Sequence, residues 1–342
     1  MAVVHNRRIV LASRPVGAPV PENFRIETLP VAAPGDGEVL VHNRLLSLDP
    51  YMYRRMIDGP SYDPPLALGA TMVGATVGRV VESRRAGFAA GDLVLAYGGW
   101  QEYSLSDGKD LTRLPADLAQ PSYALGVLGM PGYTAYHGLL RIGAPVQGET
   151  VVVSAATGAV GSVVGQLAKL RGCRAVGIAG GSDKCAYAVR DLGFDACLDH
   201  RAANLRDRLA AECPRGIDVY FENVGGAVLR AVLPLLNVGA RIPVCGQIAG
   251  MTQTALPEGP DRTGVLTATV LVKRLRLQGF IISDHYGEPF LEFSRDMRGW
   301  LGSGAIRYRE HVVDGFESAP ATFAEMMRGG NLGKTIVRLG DL

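Results

Sequence analysis

No two of the five cysteines in this 342-residue chain lie at a CxxC spacing. Cys173, Cys185, Cys197, Cys213 and Cys245 stand at least twelve positions apart, and an odd, scattered set argues against both a disulfide framework and a four-cysteine zinc lobe. The six histidines are as dispersed, with no HExxH or comparable cluster, so no metal site is expected. An excess of one charge is missing too. Thirty-five Lys and Arg against 33 Asp and Glu leave +2, which gives no electrostatic basis for holding nucleic acid or an anionic membrane. The opening MAVVHNRRIVLASRP has basic residues but only a short apolar stretch and no small-residue cleavage site, so a cytoplasmic location is the default expectation. Two stretches free of Asp, Glu, Lys and Arg, 118–140 and 150–168, approach the roughly 20 residues of a membrane span. Pro121 and Pro131 interrupt the first and a glycine-rich turn the second, and a buried strand of a parallel sheet explains the latter better.

What remains is a globular composition, 47% hydrophobic and 20% charged, in a chain long enough for two domains with a cleft between them. Up to about residue 112 short β-branched or alternating runs (EVLVHN at 38–43, TVGRVVE at 76–82, DLVLA at 92–96) are broken by glycine and proline, the texture of a compact β-rich domain. From about Pro121 strands and helices alternate. The pattern predicts helices over 133–141, 159–171, 183–191 and 227–235, and strands over 150–154, 174–178, 218–222 and 240–245. Such alternation is the sequence form of an α/β fold, a Rossmann-type doubly wound parallel sheet. Beyond Gly279 the pattern is mixed and ends in an apolar strand at 335–339, which is able to return to the first domain. The expected division is 1–125, 126–285 and 286–342.

The strongest local signal is VVVSAATGAVG at 151–161, a buried strand running into a small-residue turn and a helix. Aligned with GxGxxG, Ala156 takes the first glycine position, Gly158 the second and Gly161 the third. Gly158 lets backbone approach a pyrophosphate and Gly161 lets helix and strand pack closely, while Thr157, Ala159 and Val160 complete a turn whose amides face the anion. The next strand ends in Ala179, Gly180, Gly181, Ser182, Asp183 and Lys184 rather than in a lone carboxylate. NADP is therefore preferred over NAD, with Gly181, Ser182 and Lys184 around the 2′-phosphate. The alternative is that Ser182 caps the next helix and Lys184 is solvated, and Asp183 is one register step from facing a ribose.

At this point several motifs, in order, cover nearly the whole chain: NRLLSLDPYM at 43–52, GMPGYTAYHGL at 129–139, the turn and its helix at 151–173, DVYFENVGG at 218–226, LQGFII at 277–282 and GGNLGK at 329–334. With these the chain resembles the zinc-independent branch of the medium-chain dehydrogenase/reductase superfamily, in its leukotriene B4 dehydrogenase, prostaglandin reductase and alkenal double-bond reductase group. The resemblance implies a GroES-like β-rich catalytic domain made of the N-terminal part and the C-terminal return, a Rossmann domain between, and a homodimer. It also implies NADPH-dependent reduction of the C=C bond of α,β-unsaturated aldehydes or ketones. It further implies that Met130 through Thr134, Asn223 through Gly225, Cys245, Phe280, Ile281, Ile282, Asn331 and Gly333 border the cofactor, Asn331 near the nicotinamide. Two positions depart from the family. A tyrosine that commonly faces the nicotinamide ribose is replaced by Met251, and an Asn-Tyr-Lys near the adenosine phosphate reads Asp199-His200-Arg201. The second keeps phosphate-compatible chemistry, since His200 and Arg201 can donate hydrogen bonds.

In such chemistry the hydride comes from the cofactor, and the protein must orient it and stabilise the enolate forming on the carbonyl oxygen. A hydroxyl donor serves that end. Tyr62, in the GPSY loop at 59–62, is the first candidate, set against the alternative of an exposed turn residue; Tyr51 is the second. Asp284 and His285 look like an acid/base pair, but sequence neighbours do not face one another, so they read as surface structure. Tyr133 and Tyr136 read as packing residues and Cys245 as a small buried hydrophobe. A quinone reductase and a non-catalytic NADP-binding protein stand beside the enone reductase as alternatives.

Overall fold

The computed structural model describes residues 4–115, 118, 120–255 and 261–342. Strands β1 (His5–Leu11), β2 (Phe24–Pro30), β3 (Val39–Ser47), β4 (Thr76–Ser83), β5 (Leu93–Ala96), β6 (Tyr103–Ser106) and β7 (Thr112–Arg113) come first, with helix α1 (Tyr51–Met56) between β3 and β4. Helix α2 (Met130–His137) leads into β8 (Thr150–Ser154), α3 (Gly161–Leu170), β9 (Arg174–Ala179), α4 (Ser182–Arg190), β10 (Ala196–Asp199) and α5 (Leu205–Glu212). Then follow β11 (Ile217–Phe221), α6 (Gly226–Val232), β12 (Leu236–Val244), α7 (Ile248–Met251), α8 (Thr263–Lys273), β13 (Arg276–Gly279) and α9 (Glu288–Gly302). The chain closes with β14 (Glu310–Asp314), α10 (Ala319–Met327) and β15 (Lys334–Arg338).

Two compact units result, residues 1–125 with 310–342, and residues 126–309. In the first, β1 and β2 pair antiparallel, and a seven-stranded sheet runs β14-β15-β3-β4-β5-β7 with β6 on β3. The C-terminal return is what makes this sheet whole: β15 lies antiparallel on β3, with Ile336 opposite Ser47. It also carries Lys334, whose buried ammonium donates to Asp49 at 2.6 Å and to the Leu48 carbonyl at 2.8 Å. Phe24 and Phe323 pack on Trp100, with ring centroids 5.3 and 5.6 Å away.

In the second unit six strands run parallel in the order β10-β9-β8-β11-β12-β13. β8 is buried at every position, as helices on both faces of a parallel sheet require. The order reverses between β8 and β11, so the carboxyl ends of these two strands bound the crevice where open α/β sheets take their ligands. Two expected helices shift for local reasons. The helix expected at 133–141 begins at Met130 and widens into a π turn over Gly138–Gly143. Gly138 has no room for a side chain beside Phe221 and Phe280. The helix expected to 235 gives way to a 3-10 turn over Leu233–Leu235, where Pro234 cannot continue it.

The expected boundary at 285/286 is corrected to 309/310. Helix α9 buries Phe293 and Met297, and its Phe293 ring lies 5.2 Å from Tyr133 and 5.6 Å from Tyr136 on α2. Tyr136 donates to Asp296 at 2.8 Å, and Arg307 exchanges hydrogen bonds with Gln166 on α3. These contacts hold 286–309 in the second unit. Among the described residues no helix is long and apolar enough to cross a membrane.

Candidate functional site

The turn after β8 is made by an alanine that the motif alignment did not single out. Ala155, not Ala156, takes the left-handed conformation, with φ of +52°, a costly region for a residue with a Cβ. Ala156 is fully buried, donates to the Ile178 carbonyl at 3.0 Å and faces Gly177 of β9 so closely that a Cβ there would meet its methyl at 2.8 Å. Its role is strand packing rather than the tight turn. Thr157 is buried as well. Gly161 starts α3 so close to the turn that a Cβ would fall 2.3 Å from the Ala155 carbonyl oxygen, whereas at Gly158 the same oxygen is 3.3 Å away. Backbone hydrogen bonds resume at Ser162, which donates to Gly158 at 3.1 Å. The N–H groups of Ala159, Val160 and Gly161 precede that first helical bond, at the start of α3. Amides at the positive end of a helix form a seat for a phosphate anion. Tyr308, which the sequence pattern did not signal, stands beside it and donates to the Ala159 carbonyl at 3.4 Å.

The tip of β9 is positively charged. Gly181, with φ of +103°, precedes α4, and no side chain caps that helix; Ser182 is its first residue and turns its hydroxyl toward Asp183 at 3.4 Å. The capping alternative for Ser182 is thereby set aside. A Cβ on Gly180 would lie 3.0 Å from Nε2 of His200 and 3.2 Å from Nε of Arg201. Lys184 belongs to the same group: desolvation first, then the Arg201 charge, holds its ammonium below the usual range. Desolvation, and then the charges of Arg201 and Lys184, likewise lower His200. The neighbouring carboxylate is occupied, since Asp199 accepts the N–H groups of Gly181 and Arg201, both at 2.9 Å. Those two bonds keep its carboxyl below the ordinary range. Two cations, Lys184 and Arg201, with the His200 ring as a further donor and Asp199 engaged by backbone amides, fit a 2′-phosphate, while Asp183 beside them is exposed. The return of β10 beside β9 brings His200 and Arg201 to this tip.

At the end of β11 Asn223 donates its side-chain amide to the Ser154 carbonyl at 2.7 Å and its backbone N–H to the Ser154 hydroxyl at 2.9 Å. The turn then passes through Gly225 and Gly226, with φ of +75° and +57°. Cys245, past the end of β12, donates its N–H to the Glu222 carbonyl at 2.9 Å, and burial followed by the Glu222 charge pushes its thiol up to about 12. The turn residues 156–161, 181–184, 200–201, 223–225 and 245 thus gather at the carboxyl ends of the central strands. On α2, Met130 accepts the Thr134 hydroxyl at 2.8 Å through its carbonyl. Phe280 packs on Phe221 and His137, with ring centroids at 6.4 and 5.9 Å. Ile281 and Ile282 lead from it into a short 3-10 turn. The surface expectation for His285 is corrected: its ring stacks on His137 with centroids 4.0 Å apart, and its carbonyl accepts the Tyr133 hydroxyl. Asp284 is exposed.

Four candidates, Tyr51, Tyr62, Asn331 and Gly333, belong to the first unit. Tyr62 is 53% exposed and follows α1. Burial, then Asp49, Tyr97 and Tyr62 hold the Tyr51 hydroxyl far above its usual range, which groups three tyrosines. Asn331 donates its side-chain amide to the Gly333 carbonyl at 2.8 Å, and Gly333 has φ of +89°. Met251 ends α7 half-buried, and residues 256–260 of the 246–262 loop lie outside the described residues. Among the described residues no three His, Cys, Asp or Glu side chains are grouped to hold a metal ion.

Comparison with known proteins matches residues 7–114 to the N-terminal domain of oxidoreductase family and residues 159–296 to the zinc-binding dehydrogenase family. The chain is 58% identical to the NADPH-dependent curcumin reductase of Escherichia coli (strain K12), over 98% of both chains. It is 42% identical to prostaglandin reductase 1 of Rattus norvegicus, over 94% of this chain and 95% of that one. Among solved structures, CurA from Vibrio vulnificus in complex with NADPH superposes with a TM-score of 0.96 at 54% identity, covering 98% of this chain and 100% of that one.

Proposed function

The chain belongs to the zinc-independent medium-chain dehydrogenase/reductase family, and from that membership we propose that it uses NADPH to reduce the carbon–carbon double bond of α,β-unsaturated aldehydes and ketones. The observation that carries the reading is the pairing of the amides at the start of α3 with the Lys184, His200 and Arg201 cluster at the tip of β9. When bound, NADPH supplies the hydride that reaches the β-carbon of the conjugated double bond.

The chain's own residues divide the remaining work. Ala159, Val160 and Gly161 offer N–H donors to the pyrophosphate, and Ser182, Lys184, His200 and Arg201 bind the 2′-phosphate. Asn223 and Gly225 shape the neighbouring turn, and Asn331 with Gly333 is assigned to the nicotinamide side. Tyr62 donates its hydroxyl to the substrate carbonyl oxygen and stabilises the negative charge developing there. The test is NADPH oxidation across a panel of enones and enals, with Tyr62→Phe beside the wild type. Turnover is expected for the panel, and the variant should lose on the order of 10²-fold in kcat at unchanged NADPH affinity. NADPH binding with no oxidation by any member of the panel defeats the proposal.

A homodimer is part of the same reading. β13 is an edge strand exposed at all four positions, and α8 exposes Val265, Leu271 and Val272 beside it. A second copy paired about a two-fold axis at this edge covers both. Sedimentation should show a dimer that Leu271→Glu with Val265→Glu converts to monomer; a monomeric wild type rejects it. Residence in the cytoplasm is supported by five free cysteines, which a reducing compartment preserves, and fractionation tests it.

A further inference from the structure

Glu222 is a buried carboxyl that none of the steps above uses. It is 1% exposed, and it sits where β11 ends, between the strands that bound the crevice. All its donors converge on one oxygen. Oε1 accepts the N–H of Val224 at 2.7 Å and of Gly225 at 2.8 Å, the Tyr220 hydroxyl at 2.9 Å and the Ser154 hydroxyl at 3.2 Å. Oε2 is buried and has no hydrogen-bond partner among the described residues. An ionised carboxylate spreads its charge over both oxygens, and leaving one of them dry and unpaired is costly. A neutral acid, with a carbonyl at Oε1 and the proton on Oε2, matches the one-sided arrangement better.

The consequence reaches the ligand site. The two amides on Oε1 belong to the turn 223–226, and the Ser154 hydroxyl that touches Oε1 also accepts the Asn223 N–H. One carboxyl oxygen therefore holds the turn's shape and ties it to the residue before Ala155. We propose that Glu222 is a positioning residue that is neutral when the dinucleotide is bound, shaping the 223–226 turn through Oε1 while placing no negative charge beside an anionic ligand. The inference rests on NADPH as the cofactor.

Among the described residues, Tyr220 and Cys245 are the titratable groups coupled to Glu222. Tyr220 on β11 is driven well above its usual range by burial, and the Cys245 thiol past β12 is pushed up to about 12, burial being the larger cause in both. Neither exchanges a proton near neutrality, and Ser154 on β8 does not titrate. Desolvation raises the Glu222 carboxyl above the ordinary carboxylate range against its hydrogen bonds. As pH rises through that raised value the free enzyme loses the proton, and the bound enzyme must take it back from solvent.

Calorimetric titration of NADPH in buffers of different ionisation enthalpy, with wild type and Glu222→Gln, measures that uptake. His200 and the 2′-phosphate titrate alike in both proteins, so the difference isolates Glu222. Wild type should take up as much as one proton more than the variant, and in that window its affinity should fall by up to about tenfold per pH unit relative to the variant. Equal uptake at every pH overturns the proposal. Should Glu222→Gln not fold, Tyr220→Phe serves: it removes a donor that favours the charged form, so the window should move to higher pH, and an unmoved window overturns the proposal. Normal NADPH binding without differential uptake defeats this inference alone, whereas absence of NADPH binding defeats the cofactor reading.

Discussion

Replacing Gly161 by alanine probes the phosphate seat through a distance. The new Cβ would fall 2.3 Å from the Ala155 carbonyl oxygen, 2.9 Å from its carbon and 3.1 Å from the Ala156 Cα. All three are backbone atoms, so no rotamer relieves the clash. The start of α3 must draw away from the turn by roughly 1 Å, and overpacking of that kind costs about 1–3 kcal/mol of stability. The same movement takes the amides of residues 159–161 out of line with a pyrophosphate. A hydrogen bond to a charged group contributes about 1.5–3 kcal/mol, so spoiling one raises Kd for NADPH roughly 10- to 100-fold. Gly158→Ala separates the two effects. Its Cβ meets only the Ala155 oxygen at 3.3 Å, so folding should be nearly unchanged, while a methyl on the side where backbone approaches the ligand weakens binding. NADPH fluorescence titration and thermal melts of both variants are the assays. A Gly161→Ala protein with wild-type Kd and wild-type midpoint refutes the reasoning, as does a Gly158→Ala protein that loses more stability than Gly161→Ala.

Lys184→Ala and Arg201→Ala should each weaken NADPH by about 1–3 kcal/mol and leave NADH nearly untouched; equal losses for the two cofactors would take the residue out of the 2′-phosphate cluster. His200 starts below its usual range because of desolvation and the Arg201 and Lys184 charges, and a bound phosphate favours its protonated ring. Preference for NADPH over NADH should therefore grow as pH falls through the histidine's titration and lose that slope in His200→Gln, and a slope that survives the substitution counts against the assignment. In the first unit, Lys334→Ala strands the buried Asp49 carboxylate, which should cost about 3–5 kcal/mol; a variant melting with the wild type contradicts the pair's structural role.

The sheet of the second unit was legible where burial is continuous. β8 runs over the expected five residues, because a strand covered on both faces reads as a continuous apolar run, here the three valines between Thr150 and Ser154. Elements whose periodicity is shallow went unread, β10 and α5 among them, as did α9, which only its packing on Tyr133 and Tyr136 assigns to the second unit. The glycine turn was legible as chemistry but not as geometry: small residues announced a close approach, while which alanine turns left-handed depends on β9 passing beneath Ala156.

By itself the sequence determined the class of the protein, since strand and helix periodicities, a small-residue turn between them and ordered motifs are local patterns that survive without coordinates. It also narrowed the cofactor, because β9 runs into glycines and a serine with Lys184 close by rather than into a lone carboxylate at the strand's end. Only the tertiary structure decided how those residues act. Arg201 joins Lys184 because parallel strands bring loops from separate crossovers side by side, and Asp199 is withdrawn from ligand binding because two backbone amides converge on it. Glu222 acquires its one-sided hydrogen bonding from β8, β11 and the turn together. Each depends on chain segments far apart in order and adjacent in space, and no local pattern encodes that adjacency.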